Sequence, residues 1–292
     1  MTKFFAFKYW PIWFALGCLR LIISLPWQWR MTVGRAIGWT VYQSNRRRSI
    51  TQTNIALCFS NLSVSEQQNM VRQTFADNGI GIIETAISMW SPKDTLIRRV
   101  SLEGEELIEH AQKQGRGVLL VGAHYSGMVL GLKLLAFSFP HYNLYRPQNN
   151  ALLEHYAPRI IRGIKKGDMR QVTRLLKQGK IVCIHPDQDT GLNHTIFAPF
   201  FGIDAATTPI VSRLALITGA KVLQYSQQRT HQDQRYLITI SDSLASIPSG
   251  DLVADVTKIN AAIETKIRLK PSQYLWLHRR FKTRPKDSPT IY

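Results

Sequence analysis

The chain has 292 residues, of which 45% are hydrophobic, so it can bury a full core and is not generally disordered. Its 37 lysines and arginines outnumber its 19 aspartates and glutamates, and the net charge of +18 predicts a polyanionic partner such as nucleic acid, anionic lipid or an acidic protein. The cysteines, Cys18, Cys58 and Cys183, form no C-x-x-C pair, so neither a disulfide framework nor a zinc knuckle is indicated and a reducing compartment fits best.

The N-terminal region is basic and partly apolar. Residues 1–65 contain no acid, and residues 9–29 form an apolar segment with tryptophans near both ends, about the length that spans a bilayer. Arg20 lies mid-segment, at a cost of roughly 2.5 to 3.5 kcal/mol if it is held at the bilayer centre, so an interfacial or re-entrant helix is the alternative to a spanning one. We predict a membrane anchor at residues 1–30 and, from the excess of positive charge after it, a cytoplasmic domain at residues 31–292.

A helix is predicted after Ser63, because Ser63 and Glu66 have the spacing of a capping box and apolar residues then recur at helical intervals. Glu84 falls within this helix. A carboxylate on a solvated helix face is favoured there over a buried functional acid.

Residues 117–122 are an apolar run bounded by glycines, which predicts a central strand of a sheet covered on both faces. His124 follows at the carboxyl end of this strand, the edge where ligands of such sheets bind. Ser126 and Gly127 favour a turn or helix start, so the imidazole is expected near unpaired backbone donors. The structural alternative is a histidine satisfied within the core.

Two further strands are expected to end at the same edge. The strand at 142–145 leads into a loop that begins at Arg146. The strand at 181–184 leads into a loop with Asp187 and Asp189, and because no further acid follows closely, hydrogen-bonding or loop-structuring roles are preferred over a metal site.

Between these strands the chain is strongly basic. Residues 155–186, which include Arg162, carry eight lysines and arginines and one acid. This ratio favours a contact surface for phosphates over a merely solvated basic helix.

The segment 197–202 cannot be a central strand, because it contains Pro199, and its phenylalanines suggest an apolar wall along which an acyl chain could lie. Thr208 and Pro209 are typical of a helix start, with Thr208 as the cap, so free amides there could hold an anion. Later strands close the sheet. The predicted fold is an α/β single domain with a mostly parallel central sheet flanked by helices, plus an N-terminal membrane-associated helix.

Several motifs together resemble one family. They are His124 after its strand, Tyr145-Arg-Pro147, Pro186-Asp-Gln-Asp189, Pro199-Phe-Phe201, Ala206-Thr-Thr208 and Trp276-Leu-His-Arg-Arg-Phe-Lys-Thr-Arg-Pro285. Over nearly its whole length the chain resembles the late (secondary) acyltransferases of lipid A biosynthesis, within the glycerophosphate-type acyltransferase superfamily. The resemblance implies a bacterial inner-membrane enzyme, cytoplasmic in its catalytic domain, that moves a fatty acyl group from acyl carrier protein to a hydroxyacyl chain of an anionic lipid A precursor in lipopolysaccharide biosynthesis.

The resemblance also implies the roles of site residues, without a metal or another cofactor. His124 is expected to be the catalytic base, and Arg146 and Arg162 are expected to fix phosphates or the acyl donor. The complete set expected to bind substrate is Tyr145, Arg146, Arg162, Asp187, Asp189 and Thr208.

One position departs from the family's signature, in which an Asp or Glu follows the histidine by five residues. Val129 occupies that position here. Such an acid orients the imidazole and stabilises it once protonated, so a histidine without it is expected to be a poorer base. A replacement must come from elsewhere in the fold, and Asp187, Asp189 and Glu84 are the candidates.

Two classes of function therefore stay open. The chain is an O-acyltransferase, or it is a catalytically impaired relative that acts as a lipid-binding or partner-binding membrane protein. A nucleic-acid binder is disfavoured, because the basic stretches form no recognisable nucleic-acid module and the tryptophan-rich segment has no use in one.

Overall fold

The computed structural model describes residues 2–160, 162–193, 195–230 and 235–292. The helices are α1 Trp10–Ile22, α2 Trp27–Tyr42, α3 Asn45–Cys58, α4 Val64–Trp90, α5 Lys93–Ile97, α6 Glu105–Lys113, α7 Met128–Leu135, α8 Ala151–Ile160, α9 Met169–Lys177, α10 Ile210–Thr218 and α11 Leu252–Leu269. The strands are β1 Val100–Glu103, β2 Val118–Val121, β3 His141–Tyr145, β4 Gly163–Lys165, β5 Ile181–Ile184, β6 Ile196–Phe200, β7 Ile203–Thr207, β8 Lys221–Arg229 and β9 Tyr236–Ser241.

Seven of the described strands form one sheet in the order β1-β9-β8-β2-β5-β3-β4. Its neighbouring strands are parallel except for β8 and β9, so the prediction of a mostly parallel central sheet is confirmed. The adjacent strands β2 and β5 are buried at every residue. A separate antiparallel pair, β6 and β7, accommodates Pro199, because an exposed position in a two-stranded ribbon tolerates the missing amide hydrogen.

Side chains of β2 alternate between two apolar layers, since successive residues of a strand point to opposite faces. Leu119 and Val121 lie in the layer that α9, α10 and α11 cover. Val118 and Leu120 lie in the layer on the other face, with buried residues of α2, α4, α6 and α7. The helices therefore flank the sheet on both faces, as predicted.

The predicted capping box of α4 is present. The Ser63 hydroxyl accepts from the Glu66 amide at 3.3 Å, and the Glu66 carboxylate accepts from the Ser63 amide at 2.8 Å. α4 in turn packs against α2 at glycines: a Cβ on Gly79 would lie 2.1 Å from the Gly34 carbonyl oxygen, so the two backbones touch directly. The proposed division at residues 30 and 31 falls within α2, and it stays a prediction.

The apolar N-terminal segment forms two helices instead of one. α1 ends at Ile22, the chain turns, and α2 begins directly after Pro26, which cannot continue a preceding helix because it lacks an amide hydrogen. Among the described residues, no helix is both long and apolar enough to cross a membrane. The prediction of a single spanning helix over residues 9–29 is wrong.

The start of α10 also differs from its prediction. Thr208 does not cap this helix: Pro209 occupies the N-cap position, and no side chain caps the helix there. Pairing of Thr207 with Ile196 keeps the chain extended as far as Thr207, so only two residues are left for the turn into the helix.

Candidate active site

His124 and Asp187 meet because the strands before them are adjacent and in register. Val121 of β2 pairs with Ile184 of β5, and each of the two polar residues follows its strand end by three positions. The His124 Nδ1 atom lies 2.7 Å from Asp187 Oδ1, and the His124 amide donates to Asp187 Oδ2 at 2.9 Å. One carboxylate therefore fixes both the ring and the backbone of the histidine.

The pair has the geometry of a base and its orienting acid. The Asp187 side chain is fully buried, whereas the His124 side chain keeps 22% of its surface exposed. With Nδ1 bonded to the carboxylate, Nε2 is the ring nitrogen that is left to exchange protons with a bound molecule. Of the three acids that could replace the one missing at Val129, Asp187 is the one that touches His124.

The protonation states of Asp187 and the nearby His185 depend on burial and on the neighbouring imidazoles. Burial by itself raises the pKa of Asp187, but the attraction of His124 and the hydrogen bonds from it lower the pKa of this carboxyl well below its usual range overall. His185 is half-buried, and its ring centroid lies 5.4 Å from that of His124; the loss of solvent around the ring and the neighbouring His124 imidazole together lower its pKa to about 3. Asp187 is therefore ionised and His185 neutral at physiological pH.

The C-terminal segment closes over the histidine turn. Tyr125 forms an antiparallel bridge with Tyr274, the Leu275 amide donates to the His124 carbonyl at 3.0 Å, and the Ser126 amide donates to the Gln273 carbonyl at 2.8 Å. Trp276, the first residue of the motif that ends at Pro285, is fully buried, and its ring centroid lies 4.7 Å from that of Tyr274. Residues 273–275, directly before this motif, therefore support the turn that carries His124, a role that the sequence did not reveal.

Asp189 structures the loop. It accepts from the Thr283 amide at 2.6 Å, from the Thr283 hydroxyl at 2.8 Å and from the Gly191 amide at 2.9 Å. Its own amide donates to His278 Nε2 at 3.2 Å. These bonds join the loop after β5 to the C-terminal segment.

Glu84 is not on a solvated helix face, so that prediction is wrong. It is fully buried, and its Oε1 accepts from Arg229 at 2.7 Å and from Tyr236 at 2.8 Å. Arg229 also donates to Asp77, and although burial lowers its pKa, the Glu84 and Asp77 carboxylates raise the pKa of this guanidinium overall. The partner lies 145 residues further along the chain, so the local pattern around Glu84 gave no sign of it.

Only some of the other residues predicted to bind substrate lie at the edge of the sheet where His124 is. Tyr145 ends β3 at the same edge as His124 and donates its hydroxyl to Glu154 at 2.8 Å, and the exposed Arg146 follows it. Thr208 lies half-buried in the turn into α10. Arg162 is exposed at the amino end of the edge strand β4, so parallel pairing places it away from the catalytic edge.

The chain is similar to known proteins over nearly its whole length. Residues 1–283 match the family described as bacterial lipid A biosynthesis acyltransferase. The chain belongs to this family.

The lipid A acyltransferase family includes relatives that align over almost the whole chain. The lipid A biosynthesis palmitoleoyltransferase of Escherichia coli (strain K12) is 34% identical, covering 98% of this chain and 95% of the relative. The lipid A biosynthesis lauroyltransferase of the same strain is 32% identical with the same coverage. A lipid A biosynthesis acyltransferase of Haemophilus influenzae is 29% identical over 99% of this chain and 96% of its own length.

Val129 makes this lipid A acyltransferase family member depart from the signature that we expected. It is the second residue of α7, half-buried, and directly follows the turn that holds His124. The acid that contacts His124 is instead Asp187, in the loop that follows the neighbouring strand β5. Sequence order alone could not select it, because β3 and β4 lie between β2 and β5 along the chain.

Proposed function

We propose that the chain transfers a fatty acyl group from acyl carrier protein to a hydroxyl group on an acyl chain of a lipid A precursor. The observation that carries this proposal is the His124–Asp187 pair, partly exposed at the carboxyl edge of the sheet, in a member of the lipid A acyltransferase family. The names of the relatives support the lipid substrate. The net charge of +18 suits both substrates, since both are acidic.

In the proposed reaction His124 Nε2 takes the proton of the acceptor hydroxyl as its oxygen attacks the thioester carbonyl carbon. Asp187 stabilises the imidazolium that results. When the carbon–sulfur bond breaks, the leaving thiolate takes the proton back from His124. The products are an ester on the lipid and a free thiol on the carrier, so atoms and charge balance without a cofactor.

The position of Asp187 favours this reaction over the catalytically impaired alternative. That alternative rested on a histidine without an orienting acid. A buried carboxylate that remains ionised at physiological pH and lies 2.7 Å from the ring supplies that acid.

We propose further that residues 1–30 attach residues 31–292, the acyltransferase domain, to the cytoplasmic side of the inner membrane without crossing it. α1 has no fully buried residue, and large apolar side chains are exposed on and around it. They include Phe5, Phe7, Trp10, Phe14, Leu21 and Trp29. Exposed aromatic side chains beside lysines and arginines are typical of a segment that lies in the bilayer interface.

The reaction is tested with wild type and His124→Ala, using acyl carrier protein charged with lauroyl, myristoyl or palmitoleoyl groups and a tetra-acylated lipid A precursor. His124→Ala should lower the transfer rate roughly 10² to 10⁴-fold, as expected for loss of a positioned base. His110→Ala, an exposed histidine on α6, is the matched control and should leave the rate unchanged. Turnover that survives in His124→Ala would exclude the base, and a wild type inactive with every donor would favour the impaired alternative.

Membrane attachment is tested by flotation with vesicles that contain phosphatidylglycerol. The variant Phe7→Ser/Trp10→Ser/Phe14→Ser should bind roughly 100-fold more weakly, at about 1 kcal/mol for each partly inserted side chain. The control Leu216→Ser/Ile217→Ser/Val253→Ser removes exposed apolar side chains from α10 and α11 and should bind like wild type. Equal loss in both variants would contradict attachment through α1.

A further inference from the structure

Helix α9 carries a stripe of cations along one side. Arg170, Arg174 and Lys177 are exposed and spaced by four and three residues, so they lie on one face of the helix. The opposite face is the buried one and includes Val172 and Leu176. We call Arg170, Arg174 and Lys177 the α9 stripe.

The charges of the α9 stripe are not neutralised within the described part of the chain. None of the described aspartates or glutamates forms an ion pair with these three residues. Asp168, the nearest acid in sequence, caps the helix by accepting from the Gln171 amide at 3.0 Å. Like charges one helical turn apart destabilise a helix, so the α9 stripe does not stabilise the folded domain. Its positive charge is therefore available to an acidic partner.

The surface around the stripe is shallow and open to solvent. It is lined by residues of α9 and its C-cap: Met169, Arg170, Thr173, Arg174, Lys177 and Gln178. From Arg170 to Lys177 the stripe extends over about 10 Å at the rise of an α-helix, enough to face two turns of a partner helix.

The position of the α9 stripe in the fold separates it from the N-terminal apolar surface. α9 packs in the layer with α10 and α11, whereas Ile23 and Trp27 pack in the layer on the other face of the sheet. No large apolar side chain of α9 is exposed, unlike those around α1. A flat membrane that contacts α1 therefore does not contact the α9 stripe.

The stripe is also connected to the catalytic edge. α9 leads directly into β5, which positions Asp187, and it returns antiparallel to that strand as crossover helices do. The end of α9 at Arg170 therefore lies toward the edge where His124 lies, and Lys177 lies toward the opposite edge.

We propose that the α9 stripe docks an acidic surface of the acyl carrier protein, which holds the carrier on the face of the domain opposite the N-terminal apolar surface. This inference rests on the proposed function, because it locates the acyl donor of that reaction. The lipid acceptor and the carrier then approach His124 from different sides, and the thioester reaches the histidine over the edge of the sheet. Charge complementarity supplies the recognition, and salt screens it.

The experiment uses the full chain in zwitterionic detergent and compares two triple variants with the same loss of charge. Arg170→Gln/Arg174→Gln/Lys177→Gln removes the stripe, and Arg72→Gln/Arg98→Gln/Lys113→Gln removes three exposed cations elsewhere as the control. The Kd for fluorescently labelled carrier protein and the KM for lauroyl-carrier protein should rise about 10-fold in the stripe variant at about 50 mM salt. The kcat at saturating donor and the Tm should match wild type, and at about 0.5 M salt the difference should shrink.

Equal Kd values for the stripe variant and the control variant would overturn the docking proposal and leave the transfer reaction intact. A stripe variant that binds the carrier normally but no longer binds anionic vesicles would also overturn it, and would make α9 a membrane surface instead. If the proposed function is wrong, the wild-type protein will not transfer the acyl group. The Kd values for the carrier protein would still test the docking proposal in that case.

Discussion

Residues 124–127 lie between two buried carboxylates with different partners. Asp187 pairs with His124, whose side chain is 22% exposed, whereas Glu84 pairs with Arg229, whose side chain is only 6% exposed. Glu84 also lies against the far end of this turn, since a Cβ on Gly127 would lie 2.5 Å from its Oε2. Both carboxylates are buried and both pair with a basic side chain. Asp187 differs from Glu84 because its partner, His124, can contact a bound molecule, whereas Arg229 is almost fully buried.

Asp187→Asn should have the largest effect of these substitutions, because it tests the role of Asp187 in catalysis directly. An amide at this position cannot hold the same ring tautomer or stabilise the imidazolium, so the kcat for acyl transfer should fall roughly 10³ to 10⁴-fold. The measurement is the steady-state rate from acyl carrier protein, with the folded fraction checked by circular dichroism. Asp189→Asn is the matched control on the same loop, and it should lower the Tm by loosening the contact with Thr283 while retaining most of the kcat. If the two variants lose activity equally, Asp187 has no special role as the acid.

Arg229→Met should show that Glu84, the other buried acid, contributes to stability and not to catalysis. It leaves Glu84 and Asp77 buried without their cation, which should lower the free energy of unfolding by about 3 to 5 kcal/mol. Lys221→Met, which breaks the more exposed pair with Asp242, should lower it by less than about 1 kcal/mol. Urea unfolding measures both, and kcat per folded molecule should stay near wild type. A normal unfolding midpoint with a strongly reduced kcat would assign the Glu84 network to catalysis.

The low pKa of His185, two residues before Asp187, predicts that the free energy of unfolding depends on pH. Its folded-state pKa of about 3 lies below the ordinary value of 6.5, so between these pH values the unfolded chain binds a proton that the folded chain does not. This contribution to stability is present above about pH 6.5 and is lost as the pH falls toward 3, which amounts to about 2 kcal/mol between pH 7 and pH 5. In His185→Gln the free energy of unfolding should depend less steeply on pH over this interval. Parallel curves for the variant and wild type would contradict the assignment.

Val129→Glu should have the smallest effect of the four. Because Asp187 already satisfies His124, a second carboxylate should leave the transfer rate unchanged or lower it a few-fold through desolvation cost and like-charge repulsion. Val129→Gln is the control for size and polarity without charge. An increase in the transfer rate with Glu but not with Gln would show that the site lacks an effective acid in the wild type.

The sequence was sufficient to predict the two strands that carry the site and the residues that follow them. Both β2 and β5 are apolar runs that end at polar residues, and such local patterns depend only on neighbouring side chains. What the pattern could not supply is that β2 and β5 are adjacent, since 63 residues separate His124 from Asp187 and two strands intervene. Asp187, Asp189 and Glu84 were therefore equivalent candidates until the pairing of strands was known.

The errors have identifiable physical causes. Pro26 marked the break between α1 and α2, but the length and hydrophobicity of residues 9–29 outweighed it in the prediction. Thr208 and Pro209 matched a helix start, but the pairing of β6 with β7 held the chain extended past the expected cap. For Glu84 a glutamate within a helix is ordinarily solvated, and the buried cation that reverses this preference comes from β8.

The bridge between Tyr125 and Tyr274 has a consequence for biosynthesis of the protein. Tyr274 is synthesised 149 residues after Tyr125, which at about 5 to 20 residues per second is about 7 to 30 s later. During that interval α1 has already left the ribosome and can reach the bilayer, while the turn with His124 has no partner for its backbone. If α1 attaches the chain to the bilayer as proposed, the nascent chain should reach the membrane before the turn with His124 is complete. A chain stopped after Ser272 should then float with vesicles yet be cleaved by protease near residues 122–128.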